Sequence, residues 1–458
     1  MSTESVTVVV PVEDADMPVN QAEPAARAGG YAWFVVVLLT LANMLSFLDR
    51  QILNLMVGPI RQDLGIGDTE MSLLMGFSFA IFYTVCGIPL AWCADRYSRK
   101  WLIAGGAAAW SIATAACGLA GRYGHMVVAR IGVGVGEASL SPASYSLITD
   151  YFPQQQRVTA MSVFAMGNYI GAGLAFLIGG YVIHWAQSYG PVVLPVFGEV
   201  RSWQLVFLTL GLFGVIFSFA LMLIRDPERG PGHSRQPVSA TWTKLRSHGG
   251  TLLYHHFGFS LIALAGYGSS AWLPSYFIRT QGWTEAQTGL IYGSAVAIFG
   301  IIGIFAGGRL ADWLVARGYS DGTLRVGVLA ALLAVPVMPL VMVVDGFLPT
   351  FIALAVAVFF FSMPTGCAAA ALQEIMPSNM RAQATAVYLF VFNMIGLGLG
   401  PTAVAVVTDF VFADDMAVGH SLVWVCSSAL LLGSVLLYLG LAPYRRSYSQ
   451  CRAELAMP

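Results

Sequence analysis

RDPERGPGHSRQPVSATWTKLRSHG, residues 225–249, is the longest polar stretch between apolar runs in this sequence, and the reading of the fold turns on it. Its prolines, glycines and five basic residues read as a linker in water. Six apolar runs lie on each side. Each is about 20 residues or more, the length that crosses a hydrocarbon core of roughly 30 Å. They fall at about 31–58, 70–93, 101–121, 124–147, 157–184 and 202–224 before the linker, and at about 250–278, 286–308, 323–344, 348–373, 381–409 and 418–442 after it. The spacing therefore predicts an all-α membrane protein of twelve spanning helices in two halves.

Composition supports this. Of the 458 residues, 57% are hydrophobic and 10% charged. A soluble chain carries about 25% charged residues, so too few charges are present to cover a surface that faces water. A net charge of −1 gives nucleic acid no basic face to bind. Six cysteines without a CxxC spacing suggest neither a metal site nor a disulfide framework. No GxxxxGK[ST] loop is present, which disfavours an ATP-driven pump. No nucleophile–base arrangement stands out either. The expectation is a protein that is not an enzyme and needs no cofactor.

Residues 1–30 are acidic and lack the basic start of a secretory signal, so they read as a disordered cytoplasmic tail. The remaining units are an N-terminal half (31–224), the linker (225–249), a C-terminal half (250–442) and a cytoplasmic tail (443–458). With both termini inside, the inner loops and tails hold 17 of the 23 basic residues. The outer loops hold Arg61, Arg122, Arg201 and Arg279, and Arg50 and Arg130 fall within spans. The positive-inside rule favours that orientation.

The halves repeat. FPQQQRVTAM (152–161) resembles MPSNMRAQAT (376–385), NYIGAG (168–173) echoes NMIGLG (393–398), and LAWCADRYSRK (90–100) is echoed weakly by GGRLADWLVARG (307–318). Repeated halves around a central cavity suit a transporter with its ligand site near the midplane. ADRYSRK is similar to the inner-loop signature of major facilitators. LDR in span 1, RIGVGVGEASLSPASYSLITDYFP (130–153) and GYGSSAWLPSYFIR (266–279) together resemble the spinster family, lipid transporters that include sphingosine-1-phosphate and lysophospholipid exporters. The resemblance implies the major facilitator fold, with spans 1 and 4 lining the cavity. It also implies a monomer in the bacterial inner membrane, with membrane lipids, protons and a lipid-like small molecule as its partners.

MLSFLDRQIL (44–53) places Asp49 and Arg50 inside span 1. A charge at the centre of a bilayer helix costs roughly 2.5–3.5 kcal/mol on insertion scales, and such residues mark pathways and proton relays. Neighbouring helical residues point about 100° apart, so Asp49 and Arg50 cannot share one partner. Span 4 carries Arg130 and Glu137, seven residues apart on one face. At 1.5 Å per residue Asp49 lies roughly 27 Å along span 1 and Arg130 roughly 25 Å above the inner end of span 4, with Glu137 roughly 10 Å lower. Asp49 is therefore expected to approach Arg130 in at least one state. Two roles fit the four charges: a static polar lock between spans 1 and 4, or a proton switch in which an acid alternates between a proton and an arginine. Arg130 also suits an anionic headgroup, since guanidinium meets phosphate and carboxylate oxygens in pairs.

Asp95, Arg96, Arg99 and Lys100, with Asp312 as a weak counterpart, are assigned by the resemblance to gating on the cytoplasmic face. Tyr83, Asn168, Tyr169, Tyr267, Trp272, Phe361 and Asn393 are candidate cavity residues. GVGVGE (132–137) lies in a membrane helix, where small residues serve close packing rather than a dinucleotide. GAGLAFLIGG (171–180) and GLGLGP (396–401) read as packing or bending sites. His255 and His256 point to different faces and read as an interfacial pair rather than a metal site. The expected function is secondary active transport, by alternating access, of an amphipathic anionic lipid of the sphingolipid or lysolipid class, coupled to protons. The alternative is proton-coupled transport of a small water-soluble organic anion.

Overall fold

The computed structural model describes residues 29–189, 192–194, 198–227, 244–377 and 380–456. Among the described residues, ten helical segments are each long and apolar enough to cross a membrane. Two more complete the set of twelve. Span 4 is Tyr123–Glu137 continued by Leu140–Tyr151. Span 7 is one helix, Gly249–Thr280, whose apolar character is diluted by His255, His256, Ser260, Ser269 and Ser270. The break in span 4 has a local cause. Pro142 donates no N–H, and its ring crowds the carbonyl four residues earlier, at Ala138. Span 10 breaks in the same way, as Phe347–Ser362 followed by Pro364–Glu374.

An even number of crossings returns the chain to its starting side. We call that side the terminal face and the other the distal face. In the first half, span 1 (Gly30–Leu55) packs on span 5 (Thr159–Trp185), and span 3 (Arg99–Gly118) packs on spans 4 and 6 (Ser202–Leu221). In the second half, span 7 packs on span 11 (Gln383–Phe412) and span 12 (Asp415–Ala453), and span 8 (Glu285–Ala316) packs on span 10. The halves meet through spans 5 and 8, and through span 2 (Asp68–Arg96) and span 11. GAGLAFLIGG serves the first contact: a Cβ on Gly173 would stand 2.8 Å from the Gly293 carbonyl of span 8. GLGLGP belongs to the second, where Asn393–Leu399 winds as a wide π-helix opposite a second one, Leu73–Phe77, in span 2.

Two expected boundaries move. Residues 443–456 are not a separate tail, because the last helix runs unbroken over Val418–Ala456. Buried Tyr444 holds it, its hydroxyl 2.5 Å from Glu374 Oε2 and 3.1 Å from the Ala371 carbonyl. Ser447 and Thr251 add a hydroxyl pair at 2.8 Å. The linker resumes helix at Lys244, and its residues 228–243, like residues 1–28 of the N-terminal tail, lie outside the described residues. His255 and His256 are buried rather than interfacial. Their Nδ1 atoms stand 3.1 Å apart, and His255 Nε2 reaches the Ala368 carbonyl of span 10 at 2.8 Å.

Arg99, one of the expected gate residues, lies buried within the first half. It is 1% exposed and ties spans 3, 4 and 6 together inside one half. Its Nε donates to Asp226 at 2.9 Å, its Nη1 to Ser146 at 3.0 Å and its Nη2 to the Pro227 carbonyl at 3.0 Å, and it pairs with Asp150. Burial alone pushes the Asp226 carboxyl up, but hydrogen bonds and charge from Arg99 outweigh it and hold the group below its ordinary value of 3.8.

Arg99→Ala is expected to lower unfolding stability by about 2–3 kcal/mol, less than for a fully buried pair because both acids keep some water. Because Asp226 is depressed in the folded state, its share of that stability is present above pH 3.8 and is lost as the pH falls below it. Thermal unfolding in detergent checks this. The gap between wild type and variant should hold from neutral pH down to about pH 5 and narrow only in stronger acid; a gap that closes near pH 6 contradicts the assignment.

Candidate functional site

The four charges predicted within spans all meet at the centre of the first half between spans 1, 2, 3 and 4, with Asp49, Arg130 and Glu137 buried and Arg50 half-buried. Their pairing differs from the expected one. Arg50 holds Glu137: its Nε and Nη2 each stand 2.6 Å from Glu137 Oε2, and the Glu137 side chain is fully buried. Ser46, one helical turn before Arg50, donates to the same oxygen at 2.5 Å. Glu137 Oε1 has no hydrogen-bond partner. The guanidinium of Arg50 also lies against three rings, with its centre 4.9 Å from Phe47, 4.5 Å from Phe79 and 4.6 Å from Tyr83. Ring faces attract a desolvated cation, so this collar compensates Arg50 where water is scarce.

Asp49 does not pair with Arg130 in this state. The depth estimate holds, because Arg130 Nη1 reaches the Asp49 backbone carbonyl at 3.5 Å. The direction differs: the Asp49 side chain turns to span 3, where Thr114 donates to Oδ2 at 3.2 Å, and Oδ1 has no partner. Arg130 donates its Nε to the Leu74 carbonyl of span 2 at 3.1 Å, and its Nη2 is unpartnered. Asp49 and Arg130 are each 1% exposed. The Phe79 ring is shared by the two guanidiniums, its centroid 4.5 Å from Arg50 and 5.4 Å from Arg130. The result is one ion pair, in which only Glu137 Oε1 lacks a partner, next to an acid and a base that are not paired and each keep an orphan atom.

The sequence positions this cluster through GVGVGE. A Cβ on Gly134 would lie 2.8 Å from the Phe79 carbonyl, and one on Gly136 would lie 2.7 Å from the Trp110 amide. Only glycine lets span 4 approach spans 2 and 3 closely enough to bring Glu137 to Arg50. Ser46 and Thr114 were not singled out from sequence. Ser46 was legible, since i and i+4 share a helix face; Thr114 carries no comparable signal.

A small cavity of about 20 Å³ opens from Arg50 toward the second half, lined by Phe47, Gln51, Asn54, Met75, Tyr267 and Ser270 among others. Of the candidate cavity residues, Tyr267 lines this space, and the Tyr83 ring lies against Arg50. Asn168 accepts from Asn43 at 2.5 Å, joining spans 1 and 5, and Tyr169 meets Thr365 of span 10 at 3.1 Å. Phe361 and Asn393 are half-buried. Trp272 is a correction: it is fully buried and donates to the Pro401 carbonyl at 2.8 Å, bracing spans 7 and 11 rather than lining the cavity. Of the expected gate residues, Asp95 is exposed at the end of span 2, Arg96 lies 3.7 Å over Trp92, and Lys100 stands 5.7 Å from the Trp101 ring. Asp312 borders an open cleft with Arg309 and Trp313.

Comparison with known proteins gives a consistent answer. Residues 39–401 match the model of the Major Facilitator Superfamily. An MFS-type efflux pump of Mycolicibacterium smegmatis is 28% identical over 422 residues, covering 91% of this chain and 94% of that protein. Protein spinster of Drosophila melanogaster is 25% identical over 305 residues, 64% of this chain and 48% of the fly protein, so the match spans about half of that protein's length. The D-galactonate transporter of Escherichia coli is 27% identical over 335 residues, 68% of this chain and 73% of that protein. Among solved structures, a bacterial homolog to the human lysosomal transporter spinster, in an inward-facing and unoccupied conformation, superimposes with a TM-score of 0.74 at 25% identity, covering 92% of this chain and 98% of that one. The chain belongs to the Major Facilitator Superfamily, and spinster proteins are among the relatives it resembles.

Proposed function

We propose that this transporter moves an amphipathic anionic lipid-like molecule by alternating access, and that a proton on Asp49 drives the cycle. The observation that carries the reading is the asymmetry of the central cluster: Arg50 has a carboxylate, while buried Asp49 has no cation within ion-pair distance. An unpaired carboxylate in an apolar interior is costly, and neutralisation by a proton is the cheaper state. In this state Asp49 is the neutral acid. Loss of its proton creates a demand for a cation. Arg130, which already touches the Asp49 backbone and keeps Nη2 free, supplies it. That re-pairing draws span 1 against span 4 and releases Arg130 from Leu74 of span 2. The substrate anion competes with Glu137 for Arg50, and the rings of Phe47, Phe79 and Tyr83 lie beside the apolar part of the ligand.

The basic terminal face is cytoplasmic, and the protein is a monomer of the bacterial inner membrane. The gate residues Asp95, Arg96, Lys100 and Asp312 act on that face when it closes. The kinship with spinster supports a lipid cargo. A small organic anion is the second reading, favoured by the galactonate relative and by the polar cluster beyond Arg50. There Asn54 donates to Gln51 Oε1 at 2.7 Å, and Ser270 Oγ donates to the same oxygen at 2.9 Å. Purified protein in liposomes, tested on lysolipids and on sugar acids with and without a pH gradient, separates the two.

Asp49→Asn mimics the protonated acid. In liposomes it is expected to keep substrate exchange and to lose accumulation driven by a pH gradient. Accumulation equal to wild type contradicts proton coupling at Asp49. Arg50→Lys keeps the charge but loses the planar fork and the ring contacts. It is expected to raise KM for the anionic cargo about tenfold, the scale of one desolvated cation–ring contact, and to leave a neutral analogue unchanged. Equal effects on both ligands remove Arg50 as the anion site.

A further inference from the structure

A second set of charges sits at the distal mouth and has no part in the central cluster. Arg279, in the last turn of span 7, forks the Asp68 carboxylate, with Nη1 at 2.6 Å from Oδ2 and Nη2 at 2.7 Å from Oδ1. Asp68 is fully buried at the start of span 2. Arg61, between spans 1 and 2, reaches two acids with Nη1: Asp68 Oδ1 and Asp415 Oδ2, both at 2.9 Å. Asp409, at the end of span 11, accepts from the Thr69 amide at 2.7 Å and the Thr69 hydroxyl at 2.6 Å. Carboxylate oxygens of Asp68, Asp409 and Asp415 lie within 4.8 Å of one another, a crowding of like charge that the two guanidiniums offset.

The bonds cross between the halves in both senses. Asp68, Arg61 and Thr69 come from the first half; Arg279, Asp409 and Asp415 come from the second. The closure continues below them. Asn54 donates to the Ser270 carbonyl at 3.1 Å, and a Cβ on Gly76 would stand only 2.5 Å from the Leu397 carbonyl.

We infer that this network is the distal gate, a crossed ion-pair latch in which Arg61 is the keeper and Arg279 the bolt. Opening the distal face must part Arg279 from Asp68. Asp68 is then not left bare, because Arg61 belongs to its own half and stays with it. Arg279, 14% exposed in the closed state, moves into water. A buried acid stripped of every partner would make opening prohibitive; the keeper prevents that. The two arginines therefore have opposite effects. Loss of Arg279 removes the bolt and favours opening. Loss of Arg61 removes only a tie to half-exposed Asp415, which is worth little, and leaves Asp68 dependent on Arg279, which favours closure.

The inference rests on the alternating-access reading, and its test needs no cargo. Ala271 is buried and lines the small cavity beneath the latch. In Ala271→Cys protein in membranes, the labelling rate by a membrane-impermeant maleimide applied from the distal side reports opening, with the parent chain as the background for native cysteines. Arg279→Gln should raise the rate about tenfold, the size of a modest population shift. Arg61→Gln should leave it equal or lower. Should Arg279→Gln not fold, Asp409→Ala, which removes the oxygen that accepts from the Thr69 amide and hydroxyl, should also raise the rate. No acceleration in either variant overturns the latch, and acceleration by Arg61→Gln matching that by Arg279→Gln overturns the keeper. Responsive labelling in a protein that transports nothing on the panel refutes the substrate assignment and not the latch.

Discussion

A guanidinium cannot lie bare in the centre of a bilayer, and the arrangement of the first half follows from how Arg50 avoids that. It has one carboxylate oxygen, shared with a serine, and three aromatic faces. To deliver that carboxylate, span 4 must come within backbone contact of spans 2 and 3, which requires Gly134 and Gly136. Helix 4 breaks directly after Glu137, so the acid sits at the end of its segment, beside the kink that Pro142 imposes. Packing, kink and ion pair form a single local solution to one electrostatic cost.

The same cost, met incompletely at Asp49 and Arg130, is what makes the cluster suitable for a cycle. A fully paired set of four charges would be a static tie. Here two groups keep orphan atoms within reach of each other's helix, and a single proton decides whether they attract. At the distal mouth the logic is reversed. Asp68 has two arginines, one from each half, so it stays neutralised whichever way the bundle rocks. Centre and mouth thus differ in how many partners each buried acid can count on.

Much of this was legible in the chain, for identifiable reasons. Twelve spans follow from apolar length, including spans 4 and 7, whose polar residues weaken the hydropathy signal. The cluster was visible because Asp49, Arg50, Arg130 and Glu137 are conspicuous in a chain with so few charges. Depth was readable from rise per residue, and it brought Arg130 to the level of Asp49. Azimuth was not: which of two adjacent residues meets span 4 depends on helix rotation set by packing, and the pair formed is Arg50 with Glu137 rather than Asp49 with Arg130. The surroundings of Arg99 and Trp272 were not legible for a related reason. A basic loop residue and an aromatic in a span fit many environments, and only tertiary contacts with Asp226 and Pro401 settle theirs. The distal latch was hidden because Arg61, Asp68, Arg279, Asp409 and Asp415 are far apart in sequence and individually ordinary for loops. Tyr444 continued a helix where its basic neighbours suggested a tail.

The account depends on Asp49 carrying a proton in the state described. Infrared difference spectroscopy on wild type and Asp49→Asn reads this directly through the carbonyl stretch of a protonated carboxyl group. A band present in the wild type near neutral pH, absent from the variant and lost on alkalinisation is the predicted result; an Asp49-dependent signal that is already carboxylate at neutral pH contradicts the account.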